Sequence, residues 1–345
     1  MTHDLARAAA ALWPSQEARF ESLLAGEPDA CDDLLAAARH QVVGGGKRLR
    51  AALPTLALRA LVPSPSPAAR EAALWAGLAV ELVHAATLCH DDVMDGDHVR
   101  RGRPSVWARF GAAQAINAGD LLFYLADEAL RRAALPPDLH ALAAAEHAAA
   151  LRRAAHGQGA ELALRRDGEL PTPAAWERIA RGKSGALFAL ALTHGAACAR
   201  VDGAPDRTPA LRELGLSLGA LFQLQDDLVD LLGDKGRDRP ACDLWEGKPS
   251  WLAADCAARL PPRARERFRA TLAIPREEKV EADVRRLRAG LDAAGSAARG
   301  LAELDARCDA VTARVRAEAP ALASAVEALV ARIRAPLGEA ARRAA

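Results

Sequence analysis

Two short acidic segments contain the residues whose types and spacing are best suited to chemistry. Both have the pattern DDxxD, and their acidic residues are Asp91, Asp92, Asp95, Asp226, Asp227 and Asp230. In a helix, the first and fifth residues of such a segment lie one turn apart on the same face. Mg²⁺ binds a few carboxylates together with phosphate oxygens of a substrate. Because each segment follows a strongly apolar stretch, the pattern predicts two metal-binding faces rather than a solvated acidic surface.

A glycine-rich segment upstream of the first acidic segment is a candidate phosphate site. It reads GGGKRLR over residues 44–50 and places Lys47 and Arg50 about one turn apart at a predicted helix start. Helix N-termini and nearby bases attract phosphate groups. The segment is not a Walker loop, because Arg48 follows the lysine where Ser or Thr is required.

Further bases and a histidine accompany the first acidic segment. Arg100 and Arg101 follow Asp95 within two turns, and His84 precedes Asp91 by two helical turns on the same face. That position favours a substrate contact for His84 over simple burial. Acids, a metal and bases together predict a diphosphate held between cationic side chains and Mg²⁺.

The elements that position these residues are predicted to be helices. Gly and Pro clusters separate segments of about 20 to 30 residues with apolar positions at helical spacing. The chain has 345 residues, of which 51% are hydrophobic and only 4% aromatic, and no flexible linker divides it. We expect one all-α domain over residues 1–345, a bundle of ten or more helices.

Charge and cysteine content restrict the class of partner. The 46 Lys and Arg residues almost balance the 45 Asp and Glu residues, so nucleic acid is not an expected partner. Six scattered cysteines form no CxxC pair, which predicts neither zinc nor disulfides and favours the cytoplasm. No run of 18 uninterrupted apolar residues occurs, so no transmembrane segment is expected.

Taken together, these segments resemble the trans-isoprenyl diphosphate synthases of the polyprenyl synthetase family. The matching blocks occur in the family's order: GGGKRLR at 44–50, ELVHAATLCHDDVMDGDHVRRGRPSVW at 81–107, AGDLL at 118–122, GKSGALF at 182–188, LFQLQDDLVDLLGDK at 221–235 and DLWEGKPSWL at 243–252. Ordered blocks are far more specific than one acidic motif. The resemblance implies a helical bundle around a central cavity and a homodimer.

The resemblance also implies a reaction, head-to-tail condensation of isopentenyl diphosphate with an allylic diphosphate such as the dimethylallyl, geranyl or farnesyl ester. About three Mg²⁺ ions would bind, with Asp91, Asp95, Asp226 and Asp230 as ligands and Asp92 and Asp227 in support. Isopentenyl diphosphate would contact Lys47, Arg50, His84 and Arg101. The allylic diphosphate would contact Arg100, Lys183, Arg239 and Lys248, while Lys183, Ser184 and Gln223 would steady positive charge on the hydrocarbon.

Two departures from the family pattern occur. Arg239, in Asp238-Arg239-Pro240, replaces a common lysine, and its forked guanidinium differs in geometry. Ser184 replaces a common threonine but keeps the hydroxyl group.

Product length is predicted from the residues before the first acidic segment. Ala86 and Thr87 are small, and Val83, one turn deeper, is modest in size, so no aromatic floor limits the product to C15. We therefore expect C20 or longer, with Phe123 and Tyr124 as candidates for a floor further down. A class I terpene cyclase and a non-catalytic partner subunit of a prenyl synthase remain alternatives.

Overall fold

A computed structural model describes residues 2–27, 30–233 and 240–344. The described residues are almost entirely helical, so the all-α prediction is confirmed. The helices are α1 (Thr2–Leu24), α2 (Asp32–Val43), α3 (Leu49–Leu61), α4 (Pro67–Asp95), α5 (Val106–Phe110), α6 (Ala112–Arg132), α7 (Pro137–Asp167), α8 (Pro173–Ala180), α9 (Ala186–Arg200), α10 (Thr208–Leu232), α11 (Cys242–Glu246), α12 (Trp251–Arg259), α13 (Pro262–Leu272), α14 (Glu281–Ala294), α15 (Ser296–Glu318) and α16 (Ala323–Ala344).

Three short elements interrupt this helical pattern. Strands β1 (Val99–Arg100) and β2 (Arg103–Pro104) form an antiparallel hairpin. A π-helical turn, Arg181–Gly185, joins α8 to α9, and a 3₁₀ turn, Pro320–Leu322, precedes α16.

The predicted breakers mark helix starts well. Ser66 caps α4 by accepting a hydrogen bond from the Ala69 N–H at 3.1 Å, and Pro67 occupies the first turn. Helices α7, α8 and α13 likewise begin at a proline of a predicted breaker. The Arg- and Ala-rich segment after Arg332 is helical as part of α16.

The chain divides into two compact units, each assembled from separate segments. The first contains Met1–Ala150, Leu187–Gly215 and Val315–Leu329, and the second contains Leu151–Ala186, Leu216–Arg314 and Val330–Ala345. The single-domain assignment for residues 1–345 stays a prediction.

In the first unit, α4 is the central helix and packs against α1, α3 and most extensively α6. Its length and apolar composition would suffice to cross a membrane, yet 72% of its most apolar 18-residue window is buried inside the protein. Such burial is typical of a core helix. In the second unit, α12 packs against α8, α13 and α14.

Candidate active site

The first acidic segment forms the C-terminal end of α4. Asp92 is fully buried, Asp95 is 9% exposed and Asp91 is partly exposed. Gly96 ends the helix with a positive φ of 68°, and its N–H donates to the Asp92 carbonyl. The buried helix α4 therefore places its carboxylates at its C-terminal end, just before the β1–β2 hairpin that contains Arg100 and Arg101.

Asp92 is held by the neighbouring hairpin. Arg100 Nε donates to Asp92 Oδ1 at 2.6 Å, and Asp97 lies 3.8 Å from the same guanidinium. Burial raises the pKa of Asp92, and the hydrogen bond from Arg100 opposes this change. The other carboxylate oxygen, Asp92 Oδ2, is buried without a hydrogen-bond partner. Arg100, predicted to contact the allylic diphosphate, is thus also the counterion of Asp92.

The glycine-rich segment forms the loop between α2 and α3. Gly45 and Gly46 have φ values of 95° and 124°, which require glycine. Arg101 donates to the Gly45 carbonyl, and a side chain at Gly46 would collide with its guanidinium. The loop therefore lies against the hairpin arginine. Helix α3 begins at Leu49, so Lys47 precedes the helix and the predicted one-turn spacing to Arg50 is wrong.

Arg48 has a structural role in this loop. It is 8% exposed, and its guanidinium donates to Glu81 Oε1 at 2.6 Å and lies 3.8 Å from the centre of the Trp13 ring. Its backbone is left-handed, with φ at 49°. The buried ion pair between Arg48 and Glu81 therefore fixes the loop beside Lys47 and Arg50.

Arg50 and His84 form a pair inside the first unit. Arg50 Nη1 lies 3.2 Å from His84 Nε2, and its guanidinium lies 4.9 Å from the Phe188 ring centre. Burial, followed by the positive charge of Arg50, holds the pKa of His84 well below its usual range. Arg48, Arg100 and Arg101 act on His84 in the same direction. The structure therefore brings Arg50 and Arg101, two of the predicted isopentenyl diphosphate contacts, close to the His84 imidazole.

The second acidic segment lies near the end of α10. Asp227 is 3% exposed, and its oxygens accept hydrogen bonds from Trp176 Nε1 at 3.0 Å, the Trp251 N–H at 2.7 Å and Gln223 Nε2 at 3.0 Å. Burial, followed by the nearby Asp243 carboxylate, raises the pKa of Asp227 to about 7. Asp227, predicted to take part in catalysis, thus anchors α8 and α12 to α10.

Asp230 and Lys248 lie around the short helix α11. Asp230 Oδ2 accepts a hydrogen bond from the Asp243 N–H at 2.9 Å. Lys248 Nζ lies 2.7 Å from Glu246 and 3.8 Å from Asp243. The predicted contact Arg239, in contrast, lies outside the described residues.

The π-helical turn carries Lys183 and Ser184. Lys183 Nζ donates to Glu161 Oε2 at 2.9 Å, and Ser184 Oγ donates to Gln223 Oε1 at 2.8 Å. Wide helical turns of this kind are frequent at functional sites. Gly219 of α10 packs so closely on this turn that a side chain there would collide with the Gly185 backbone. The structure thus places Ser184, next to Lys183 in the chain, against Gln223, and the roles expected of these three residues stay predictions.

Each acidic segment, taken by itself, has donors that fit Mg²⁺. Asp91 and Asp95 lie in the last turns of α4, Asp226 and Asp230 lie in the last turns of α10, and carboxylate oxygens are the hard ligands that this ion prefers. Within the described ranges, no group of three or more His, Cys, Asp or Glu side chains forms a ready-made metal cage. Mg²⁺ normally takes one or two carboxylates and completes its shell with water and phosphate oxygens. The buried, unpartnered Asp92 Oδ2 also indicates that this end of α4 can accept more positive charge.

The predicted chain-length residues have different environments. Val83 and Ala86 are fully buried in α4, and Thr87 Oγ1 donates to the His84 carbonyl at 2.9 Å. Phe123 lies 5.8 Å from the His90 ring. Tyr124 is 71% exposed, so the expectation that it closes a buried tunnel is not supported within its own unit.

Sequence reasoning missed the residues that hold the predicted ones in place. These are His40, Glu161, Trp176, Asp243, Glu246 and Trp251. Glu161 is 8% exposed and pairs with Lys183 from 22 residues away. Gln158 and Glu161 lie three residues apart on one face of α7, and this spacing of two polar residues could have been recognised in the sequence. The contacts of Trp176 and Trp251 with Asp227 span 51 and 24 residues and left no local pattern.

The chain is similar to known proteins over most of its length. The model of the polyprenyl synthetase family matches residues 32–289. A short chain isoprenyl diphosphate synthase of Methanothermobacter thermautotrophicus is 33% identical over 239 residues, which are 69% of this chain and 71% of the relative. Two other relatives are matched over 65% of their own length. Relatives named geranylgeranyl and farnesyl diphosphate synthase both match, which leaves product length open.

Solved structures give the same result. The geranylgeranyl pyrophosphate synthetase of Pyrococcus horikoshii Ot3 superposes with a TM-score of 0.80 at 28% identity, covering 95% of this chain and 97% of that chain. The polyprenyl synthase of Caulobacter crescentus CB15, crystallised with calcium and isoprenyl diphosphate, gives 0.81 at 30% identity and covers 96% of each chain. The protein therefore belongs to the polyprenyl synthetase family of prenyl-transferring enzymes.

Proposed function

We propose that the protein condenses isopentenyl diphosphate with an allylic diphosphate in a Mg²⁺-dependent head-to-tail reaction. The observation that carries the proposal is the grouping of cations in the first unit. Arg48, Arg50, Arg100 and Arg101 all act on His84, two turns before the acidic end of α4. Such a concentration of positive charge around a neutral side chain suits a diphosphate substrate.

The side chains have distinct roles in the proposed reaction. Arg50, Arg101 and Lys47 bind the diphosphate of the C5 substrate and thereby orient its double bond. Bound Mg²⁺ supplies positive charge that stabilises the departing diphosphate. The allylic C–O bond breaks with its electron pair on diphosphate, and the C5 double bond attacks the resulting cation. The released diphosphate then accepts the proton whose loss forms the new double bond.

Lys183 and Gln223 act on the hydrocarbon and diphosphate side of this reaction. Glu161 orients the Lys183 ammonium group, and Ser184 orients the Gln223 amide, through the hydrogen bonds described above. Prealigned dipoles and charges stabilise a transition state without reorganisation during the reaction. We therefore propose that the π-helical turn positions the Lys183 ammonium for the departing diphosphate and, through Ser184, the Gln223 amide oxygen for the developing allylic cation.

Incubation of the purified protein with labelled isopentenyl diphosphate, Mg²⁺ and C5, C10 or C15 allylic primers tests the function. We expect incorporation of label into longer allylic diphosphates and its loss when a chelator removes Mg²⁺. Consumption of the allylic primer without incorporation of label would instead indicate a terpene cyclase. Binding of both substrates without turnover would indicate a non-catalytic partner subunit.

We propose a product of C20 or longer. Ala86 and Val83 are small or modest in size and fully buried, five and eight residues before Asp91. Ala86→Phe is expected to shorten the main product by one or more C5 units, because the ring would block a chain that extends along α4. Leu88→Phe is the control, since it faces about 200° away around the helix. An unchanged product chromatogram for Ala86→Phe would contradict this assignment.

We also propose that the enzyme is a cytoplasmic homodimer. All six cysteines are thiols rather than disulfides, and five of them are buried, which suits a reducing compartment. Ile116 and Tyr124 expose apolar surface on α6, at 46% and 71% of their side chains. Sedimentation velocity of the wild-type protein at micromolar concentration tests the dimer, and a single monomer species would contradict it.

A further inference from the structure

The hairpin that carries Arg100 and Arg101 is too short to hold its own position. Each strand has two residues, and the turn between them consists of Arg101 and Gly102, both with positive φ. Isolated two-stranded hairpins are at best marginally stable in water. A substrate-binding arginine at the tip of such a hairpin needs an external anchor.

His40 of α2 makes contacts that provide such an anchor. Its Nε2 lies 2.8 Å from the Pro104 carbonyl oxygen, and its Nδ1 lies 3.0 Å from Arg103 Nη2 and 3.1 Å from Arg109 Nη1. The Phe110 ring meets the imidazole edge-on at 5.7 Å. One half-buried side chain therefore joins α2 to strand β2 and to α5.

The hydrogen bonds define the chemical state of His40. Guanidinium groups only donate, so Nδ1 must carry a lone pair, and Nε2 must carry the proton given to Pro104. Burial is the main cause that holds the pKa of His40 below its usual value, and the charges of Arg103 and Arg109 add to it. The neutral imidazole is the state that these contacts require.

The anchor lies beside the proposed C5-diphosphate contacts. His40, Gly44, Arg100, Arg101 and Arg103 line one pocket. Arg101 reaches from the hairpin to the Gly45 carbonyl, on the loop that follows α2. His40 and the Gly45 contact therefore tie the hairpin to the same helix and loop at two points.

We propose that His40 is a positioning residue for isopentenyl diphosphate, which fixes the hairpin so that Arg101 meets the diphosphate. This inference rests on the proposed function. His40 itself touches no substrate in this scheme. Protonation would place a donor on Nδ1 opposite two guanidiniums, so the anchor should weaken as pH falls below the usual range of histidine.

Steady-state kinetics of His40→Phe and His40→Gln test the proposal. Phenylalanine keeps the edge contact with Phe110 but removes both polar contacts, whereas the glutamine amide can still donate to the Pro104 carbonyl. We expect His40→Phe to raise KM for isopentenyl diphosphate about tenfold, with KM for the allylic primer changed less than about twofold. His40→Gln should recover most of the loss. His140→Phe, on α7, is the matched control.

The pH profile separates positioning from a merely structural role. Between pH 7.5 and 5.5, KM for isopentenyl diphosphate should rise more steeply for the wild type than for His40→Gln, because the amide does not titrate. Parallel pH profiles of this KM in the wild type and His40→Gln would overturn the proposal. Equal rises in KM for both substrates in His40→Phe would also overturn it.

Calorimetric titration with isopentenyl diphosphate separates this inference from the proposed function. A wild type that binds isopentenyl diphosphate but does not elongate contradicts the function, and tenfold weaker binding to His40→Phe still supports the anchor. A wild type that elongates normally while His40→Phe and His40→Gln keep wild-type affinity contradicts the anchor alone. Absence of binding to the wild type contradicts both.

Discussion

The two acidic segments share one sequence pattern but hold their middle aspartate in opposite ways. Asp92 is buried against the guanidinium of Arg100, a charged partner on a hairpin. Asp227 is buried among neutral donors, two from tryptophan residues and one from Gln223. Burial raises the pKa of both carboxyl groups, but Arg100 opposes this change at Asp92, whereas the nearby Asp243 carboxylate adds to it at Asp227. The same motif therefore places its middle aspartate in two different electrostatic environments.

This comparison separates the outer aspartates from the middle ones. The outer residues, Asp91 and Asp226, are expected to serve metal binding in both segments. The middle residues connect each segment to its surroundings. Substitutions in equivalent positions can therefore show where the two segments behave alike and where they differ.

The largest expected effect comes from the outer residues. Asp91→Asn and Asp226→Asn should each lower kcat about a thousandfold, because each loses a charged Mg²⁺ ligand. Raising the Mg²⁺ concentration should restore part of the activity. Asp138→Asn, an exposed aspartate in the first turn of α7, is the control and should retain wild-type kcat. A large loss for only one of the two variants would show that the segments are not equivalent.

Close helix packing beside each segment gives the next effect. Gly219→Ala should lower the free energy of unfolding by about 3 kcal/mol, because the new methyl group meets the Gly185 backbone. Gly119→Ala should cost only about 1 kcal/mol, since it meets the movable His90 ring. Urea denaturation measures the free energy of unfolding of both variants. A larger loss for Gly119→Ala than for Gly219→Ala would show that the π-helical turn adapts to a new methyl group more easily than α4 does.

Removal of the charge on Asp92 should also affect stability. Asp92→Asn is expected to lower the free energy of unfolding by about 2 kcal/mol, because it removes a close charged partner of Arg100 and leaves Asp97 at 3.8 Å. Arg100 is 22% exposed, which keeps the cost below that of a fully buried pair. Asp167→Asn disrupts the exposed pair with Arg166 and should have no measurable effect. Equal unfolding curves for wild type and Asp92→Asn would contradict this account.

Replacing Asp227 should have an effect that depends on pH. Its pKa is about 7 in the folded protein and is raised from 3.8, so the folded state binds more protons than the unfolded state between these values. Stability from this group is therefore complete below about pH 4 and is lost as pH rises to 7. Relative to Asp227→Asn, the wild type should lose unfolding free energy from pH 4 to 8, by at most about 4 kcal/mol. Parallel curves would indicate that Asp227 is ionised throughout.

The sequence predicted the helical class, the start of α4 and the residues of both segments because these depend on local spacing and breakers. It did not predict the hairpin at 99–104, since four residues in two strands show no alternation. Nor did it predict which aspartates are paired. The partners of Asp227 come from α8 and α12, and such long-range contacts follow from packing rather than from local pattern.

Arg101 also bears on how this protein could change under selection. Its left-handed backbone, with φ at 54°, is unfavourable for a non-glycine residue by about 1–2 kcal/mol. Glycine would relieve that cost but would remove the guanidinium from the Gly45 loop. Laboratory evolution for heat resistance alone should therefore tend to discard this arginine, whereas selection for turnover should keep it. At this turn, thermal stability favours glycine, whereas catalytic activity favours arginine.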